Sequence, residues 1–272
     1  MRCVMLGMVW LGLGGSAAAQ NGLAEARRLY NAGLFDQAIA AAQNSSESSR
    51  LPSATAVIVG RSRLERFRTL QDPQELDRAR ADLAAVNPMQ LGPQERMEWQ
   101  MGLGEALLLD NQPGPASEIL STLVPSTRPR LTSVENEKLL EWLAVSVSRF
   151  AQTLSGGARN EQYHHLLTTL AAILQSEPTS RAANYWSVVA SRGAGDLEAA
   201  WNIAMAGWVR AGSHQASGAL RNDLDQFVTQ TLIPERAQAK TGQRLDAPAT
   251  IAEIAAMTEE WRDFTRRWSE ED

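Results

Sequence analysis

Cysteine is nearly absent from this 272-residue chain, and the single one, Cys3, sits at its very start. One cysteine cannot form an internal disulfide, and if the start of the chain is cleaved away, thiol catalysis and cysteine metal sites are excluded with it. Lysine is almost as scarce. Lys138 and Lys240 are the lysines, and the other basic residues are arginines. Three histidines, His164, His165 and His214, leave little material for imidazole chemistry. No long run of one charge sign occurs, and the formal net charge is −5. Nucleic acids and anionic membrane surfaces call for clustered Lys and Arg, so neither is an expected partner. Strict apolar–polar alternation of the strand kind is also missing.

Hydrophobic residues make up 44% of the chain and charged residues 21%, enough to bury a core. Met1-Arg2 gives a minimal positive start, Val4 to Leu13 a short apolar stretch, and Ala17-Ala18-Ala19 small residues before Gln20. That order predicts a signal peptide over 1–19, cleaved before Gln20. The stretch is shorter than the roughly 18–20 residues that span a bilayer, and a lipoprotein would need its Cys after the stretch. The expected destination is the periplasm or the exterior of a bacterial cell. Cleavage removes Cys3 and leaves a cysteine-free chain, with no stable membrane span expected afterwards.

The remainder reads as helix after helix, with apolar residues at three- and four-residue spacing. Expected helices cover 21–32, 35–43, 53–70, 73–86, 93–110, 114–124, 131–154, 159–176, 179–192, 196–211, 215–230 and 249–268. Asp72-Pro73-Gln74-Glu75, Thr132 with Glu135, and Thr250 with Glu253 read as capping boxes, and Gly92-Pro93 as a weaker start. Gln43 to Ser49 reads as a polar surface loop, and 234–248 as a linker whose first half could extend a helix.

Three windows share a helix, a tight turn and a second helix opening on Ala. The fullest contains Ala26, Leu29, Gly33, Phe35 and Ala38. A second contains Leu103, Gly104 and Leu107, then Asn111-Gln-Pro113-Gly114, then Ala116 and Leu120. A third contains Gly195, Leu197 and Ala200. This pattern resembles the tetratricopeptide repeat. The resemblance implies an all-α fold of antiparallel helical hairpins, stacked as a right-handed α-solenoid over 20–233. Gly33 would take the turn, Phe35 would pack beneath it, and Ala38 would be the close contact between helices A and B. In the second window Pro113 stands where the family has an aromatic turn residue. Ala38, Ala116 and Ala200 are spaced somewhat beyond two repeat lengths each, so the array is expected to be degenerate.

Candidate chemistry is sparse. Glu161 and His164 lie at i, i+3, with His165 alongside, which could be half of a carboxylate-bridged metal site. A matching half is not evident, and an exposed helix start is the expectation. No nucleophile elbow, zinc-protease motif, phosphate loop or dinucleotide fingerprint appears, so no catalytic residue, metal or cofactor is assigned. Ser155-Gly156-Gly157 reads as a hinge or loop. Glu259-Glu260 and Glu270-Glu271-Asp272 read as solvated acids. Trp99, Trp142, Trp186, Trp201, Trp208, Trp261 and Trp268 could form a stacking platform, but large rings at helical spacing are expected to fill the core.

The segment 249–272 carries an apolar stripe through Ile251, Ile254, Met257, Trp261, Phe264 and Trp268. A helix that caps the array is expected; a detachable helix that docks elsewhere is the alternative. Two functional readings follow. One is a non-enzymatic exported scaffold that holds a protein or peptide on its A helices. The other is a helical enzyme, or a sugar- or peptide-binding protein with a Trp-lined pocket.

Overall fold

The computed structural model describes residues 14–48, 51–127, 131–212 and 218–269. Among them every regular element is helical and no strand occurs. The helices pack in neighbouring pairs, which is the all-α, repeat-like architecture expected. The apolar stretch 4–13 of the expected signal, His214 and the acids 270–272 lie outside the described residues.

The chain divides into two compact units, Met1–Leu123 and Val124–Asp272. The first holds α1 (Gly14–Asn31), α2 (Phe35–Ser48), α3 (Pro52–Leu70), α4 (Pro73–Ala84), α5 (Pro93–Leu109) and most of α6 (Pro113–Thr127), with a single 3-10 turn over Pro88–Gln90. Each of the hairpins α1/α2 and α3/α4 is closed on itself. In addition α3 touches both α1 and α5, so the first helices of successive hairpins lie side by side. We call these first helices A and their partners B.

The second unit repeats the scheme with α7 (Ser133–Thr153), α8 (Gly156–Ser176), α9 (Arg181–Gly193), α10 (Leu197–Gly212), α11 (Gly218–Phe227), α12 (Ile233–Thr241) and α13 (Pro248–Ser269). Here α9 touches α7 and α11, while α13 packs on α12 and α10. The apolar stripe of α13 is only partly covered. Met257, Trp261 and Phe264 are buried, whereas Ile251 and Trp268 remain exposed.

Local chemistry explains most helix starts. Thr132 and Glu135 form the complete capping box, each side chain accepting from the other's backbone N–H. At Asp72 the carboxylate accepts from Gln74 N at 3.0 Å, with Pro73 opening α4. The other two expectations at these starts need correction. Glu75 does not close a box; it is buried and pairs with Arg66 and Arg78. α13 begins at Pro248, not after Thr250. Thr250 is buried in the first turn with its hydroxyl on that of Thr241, and Glu253 pairs with Lys240.

One expected loop is helical, and the first half of the expected linker extends a helix as the sequence allowed. α2 continues to Ser48 through most of the stretch 43–49, because Ser45 is buried against Gly22 of α1 and donates to the Ala42 carbonyl. Helix likewise continues through Pro234 to Thr241, so the expected linker 234–248 shrinks to the turn 242–247. Proline cannot continue the backbone ladder and its ring crowds the carbonyl four residues back. A π-turn over Val228–Leu232, immediately before it, gives the wider spacing that accommodates the ring.

Candidate partner-binding face

The three sequence windows fold into one and the same turn. Gly33, Asn111 and Gly195 each have positive φ, and each closes helix A with a pair of backbone bonds. Leu34 N donates to Leu29 O and Gly33 N to Tyr30 O; Gln112 N to Leu107 O and Asn111 N to Leu108 O; Asp196 N to Ser191 O and Gly195 N to Arg192 O. These are Schellman closures, which satisfy carbonyls that a helix end leaves open. In each case the residue after the left-handed one opens helix B, accepting from Ala38 N, Ala116 N or Ala200 N. All three alanines are 0% exposed.

The other motif residues sit around these turns. Ala26, Leu29 and Leu120 are buried, and Phe35 meets Tyr30 edge-to-face at 5.7 Å. Leu103 and Leu197 pack from the edges of their cores, and Leu107 is half-buried. Gly104 lies against α6, where an added Cβ would come within 2.6 Å of Leu120. In the second window Asn111, not Gly114, takes the left-handed position, and Asn tolerates it better than most residues. Gln71, Gly156 and Gly242 also have positive φ, so among the described residues such conformations occur once for each helical hairpin. They recur roughly 40 residues apart, in the range of helical-hairpin repeats.

The A helices of the first unit are joined by charge. Arg27 of α1 reaches Glu95 at 2.9 Å and Glu98 at 3.1 Å on α5. Arg68 of α3 donates to Glu105 of α5 at 2.7 Å. The Tyr30 hydroxyl donates to Glu65 at 3.3 Å, and the Arg61 guanidinium lies 4.6 Å above the Tyr30 ring. Glu105 is 0% exposed. Burial pushes its carboxyl up to about 7 against the opposing pull of Arg68, and burial also raises the Tyr30 phenol far above its ordinary value.

The second unit is joined by rings. Oδ1 of Asp225 accepts from the indole of Trp208 at 3.1 Å and from that of Trp261 at 3.0 Å. Trp201 meets Trp261 edge-to-face at 5.5 Å, and Phe264 packs on both Trp208 and Trp261. Arg236 lies over Trp201 at 4.3 Å and Arg221 over Trp208 at 4.0 Å. Burial raises the Asp225 carboxyl, with the two indole bonds pulling it back. Trp142, Trp201, Trp208 and Trp261 are buried and therefore core, not a stacking platform. A smaller aromatic group is partly exposed on the A helices. Tyr185 stands edge-to-face to Trp186 at 5.6 Å and to Phe227 at 5.8 Å, and the Trp186 indole donates to Glu141 at 2.8 Å.

Glu161, His164 and His165 are exposed along α8, while Tyr163 between them is buried. No group of three or more His, Cys, Asp or Glu among the described residues is placed to hold a metal ion. Ser155 is the N-cap residue of α8, with Gly156 and Gly157 in its first turn. Glu259 and Glu260 are exposed on α13. No helix of the described residues is long and apolar enough to cross a membrane. The acids of the A-helix ladder are held by arginines, which suits them to fixing helices in register.

Sequence reasoning missed the buried charges Arg61, Glu98 and Glu105, and the close approaches at Gly22 and Gly60. Glu105 follows Met101 by four residues and precedes Leu108 by three, so helical periodicity alone places it on the apolar face. An added Cβ would come within 2.6 Å of Ser45 at Gly22 and within 2.8 Å of Leu83 at Gly60. A glycine inside a helical pattern is the signal for such contacts. Compared with known proteins, the sequence matches no family model, and no curated protein is significantly similar to it.

Proposed function

We propose that this protein is a non-enzymatic, exported scaffold of the tetratricopeptide kind, which holds a protein or peptide segment against its A helices in the bacterial cell envelope. The observation that carries the reading is the identity of the three turns. Residues singled out by their resemblance to the repeat take the same backbone bonds and bury the same alanine. Hairpins stacked this way set their A helices side by side, and a row of parallel helices offers an extended surface to a partner segment. Export rests on the order of charge, apolar stretch and small residues before Gln20.

The experiment has two arms. The purified mature protein is used to capture partners from envelope extract of the producing cells, and it is screened against hydrolase substrates. Capture of a defined protein, competed by its own peptides and unaccompanied by turnover, is the expected result. Reproducible turnover that is lost on changing one acid would overturn the scaffold reading in favour of a helical enzyme.

A further inference from the structure

Beyond holding the A helices in register, the polar cluster of the first unit has the construction of a proton-operated device. Glu105 of α5 is enclosed completely, yet its two oxygens are treated unequally. Oε1 accepts from Arg68 Nε at 2.7 Å, while Oε2 is buried with no hydrogen-bond partner. A charged carboxylate in that condition is costly, and a neutral one is much less so.

The groups around it come from two neighbouring helices. From α3 come Arg61, Glu65 and Arg68, and from α1 comes Tyr30, whose hydroxyl bonds Glu65. The charges of α4 are engaged elsewhere: Glu75 with Arg66 and Arg78, Asp82 with Arg63, and Arg80 with Asp77 and Asp110. On α6 the single charged residue, Glu118, is exposed. On α1, Arg27 is taken by Glu95 and Glu98, and Arg28 by Glu25. Glu105 therefore shares its pocket with a second acid, Glu65, whose charge pushes its carboxyl up, and with Arg68 and Arg61, whose charges pull it down.

We propose that Glu105 is a proton-operated clamp, which tightens the α1–α3–α5 face of the first unit as the surroundings turn acidic and loosens it as they return to neutral. The proton goes to Oε2, the oxygen that Arg68 does not hold. Neutralising Glu105 removes the buried charge and ends its repulsion with Glu65. The burial-raised carboxyl supports the sign. With a folded value of about 7 against an ordinary 4.5, the folded unit holds the proton more tightly than the unfolded chain. Its contribution is fully present below the unfolded value and is lost as pH rises through the folded one. The clamp concerns the unit's own stability and does not depend on the scaffold reading.

Hydrogen exchange read by mass spectrometry on the full chain tests it, with intrinsic exchange rates corrected for pH. Protection of α3 and α5 amides is expected to be about tenfold greater at pH 6 than at pH 8. Glu105→Gln is expected to be flat over that range, at the high level throughout. Asp82→Asn, which removes the unit's other burial-raised acid, is expected to keep the step. A step absent from the wild type, or one that survives Glu105→Gln, overturns the proposal. Should Glu105→Gln fail to fold, the carbon-13 shift of the Glu105 carboxyl in the wild type decides. A midpoint near neutrality supports the clamp, and one below about 5 sinks it.

Discussion

Between the A helices of the first unit lie Arg27, Arg61, Glu98 and Glu105; between the helices of the second lie Trp201, Trp208, Trp261 and Phe264. The hairpin turn is the same in both, and what fills the space behind it differs. The first unit joins neighbouring A helices with side-chain bonds spanning 35 residues (Tyr30 to Glu65) and 37 residues (Arg68 to Glu105). In the second the corresponding spans are 45 residues from Glu141 to Trp186, 42 from Arg181 to Asp223 and 43 from Arg192 to Glu235. Longer helices account for the 45-residue span only, since α9 and α10, with 13 and 16 residues, are no longer than α3 or α5 with 19 and 17. α7 and α8 have 21 residues each, against 12 in α4. The contrast teaches that a turn can recur faithfully while the spacing between turns drifts. Each hairpin is a separate packing unit that tolerates extra helical turns at its ends.

Glycine use sharpens the contrast. In the first unit each A helix carries a glycine that meets its own B helix: Gly22 against Ser45, Gly60 against Leu83 and Gly104 against Leu120. In the second, Gly193 of α9 meets Tyr163 of the preceding hairpin, and Gly207 of α10 lies against Asn184 and Leu224. The first unit closes hairpins by removing side chains, and the second closes its stack by inserting large ones.

The largest expected effect comes from attacking the rings. Trp261→Ala deletes a side chain that is 2% exposed and is expected to cost about 3–5 kcal/mol, with exchange protection lost in α10–α13. Equal loss in α1–α5 would break the distinction between the two interiors. Asp225→Ala leaves two indole N–H groups without their acceptor and is expected to cost about 2–3 kcal/mol by urea unfolding. A neutral outcome would show that water replaces the carboxylate. Gly104→Ala forces its new methyl into Leu120 and is expected to cost about 1–3 kcal/mol, read in the exchange of α5 and α6. The smallest change is a gain. Gln71→Gly relieves a left-handed residue between α3 and α4 and is expected to add about 0.5–1 kcal/mol to the melting of the first unit.

Much of the helical organisation was legible because period, caps and turn residues are local. Thr132 and Glu135 gave the start of α7, and Gly33 and Gly195 gave two turns outright. What sequence left hidden was set by tertiary contact. Ser45 reads as a loop residue until Gly22 of another helix is seen to cover it. Pro234 reads as a break until the π-turn before it is seen. Gln71 carries no sign that it will be left-handed. The ladder of the first unit was the least legible part: period places Glu105 on an apolar face, but its partner Arg68 comes from another helix that sequence does not pair with it.

Site-specific photo-crosslinking in the producing cells tests most directly the claim that partners are held on the A helices. A crosslinking side chain is placed at Arg27, Glu141 or Trp186 on A helices, and at Asp77 or Glu118 on B helices. The account predicts adducts with the same partner from the A positions and none from the B positions. Adducts from Asp77 and Glu118 alone, or equally from both sets, would contradict it.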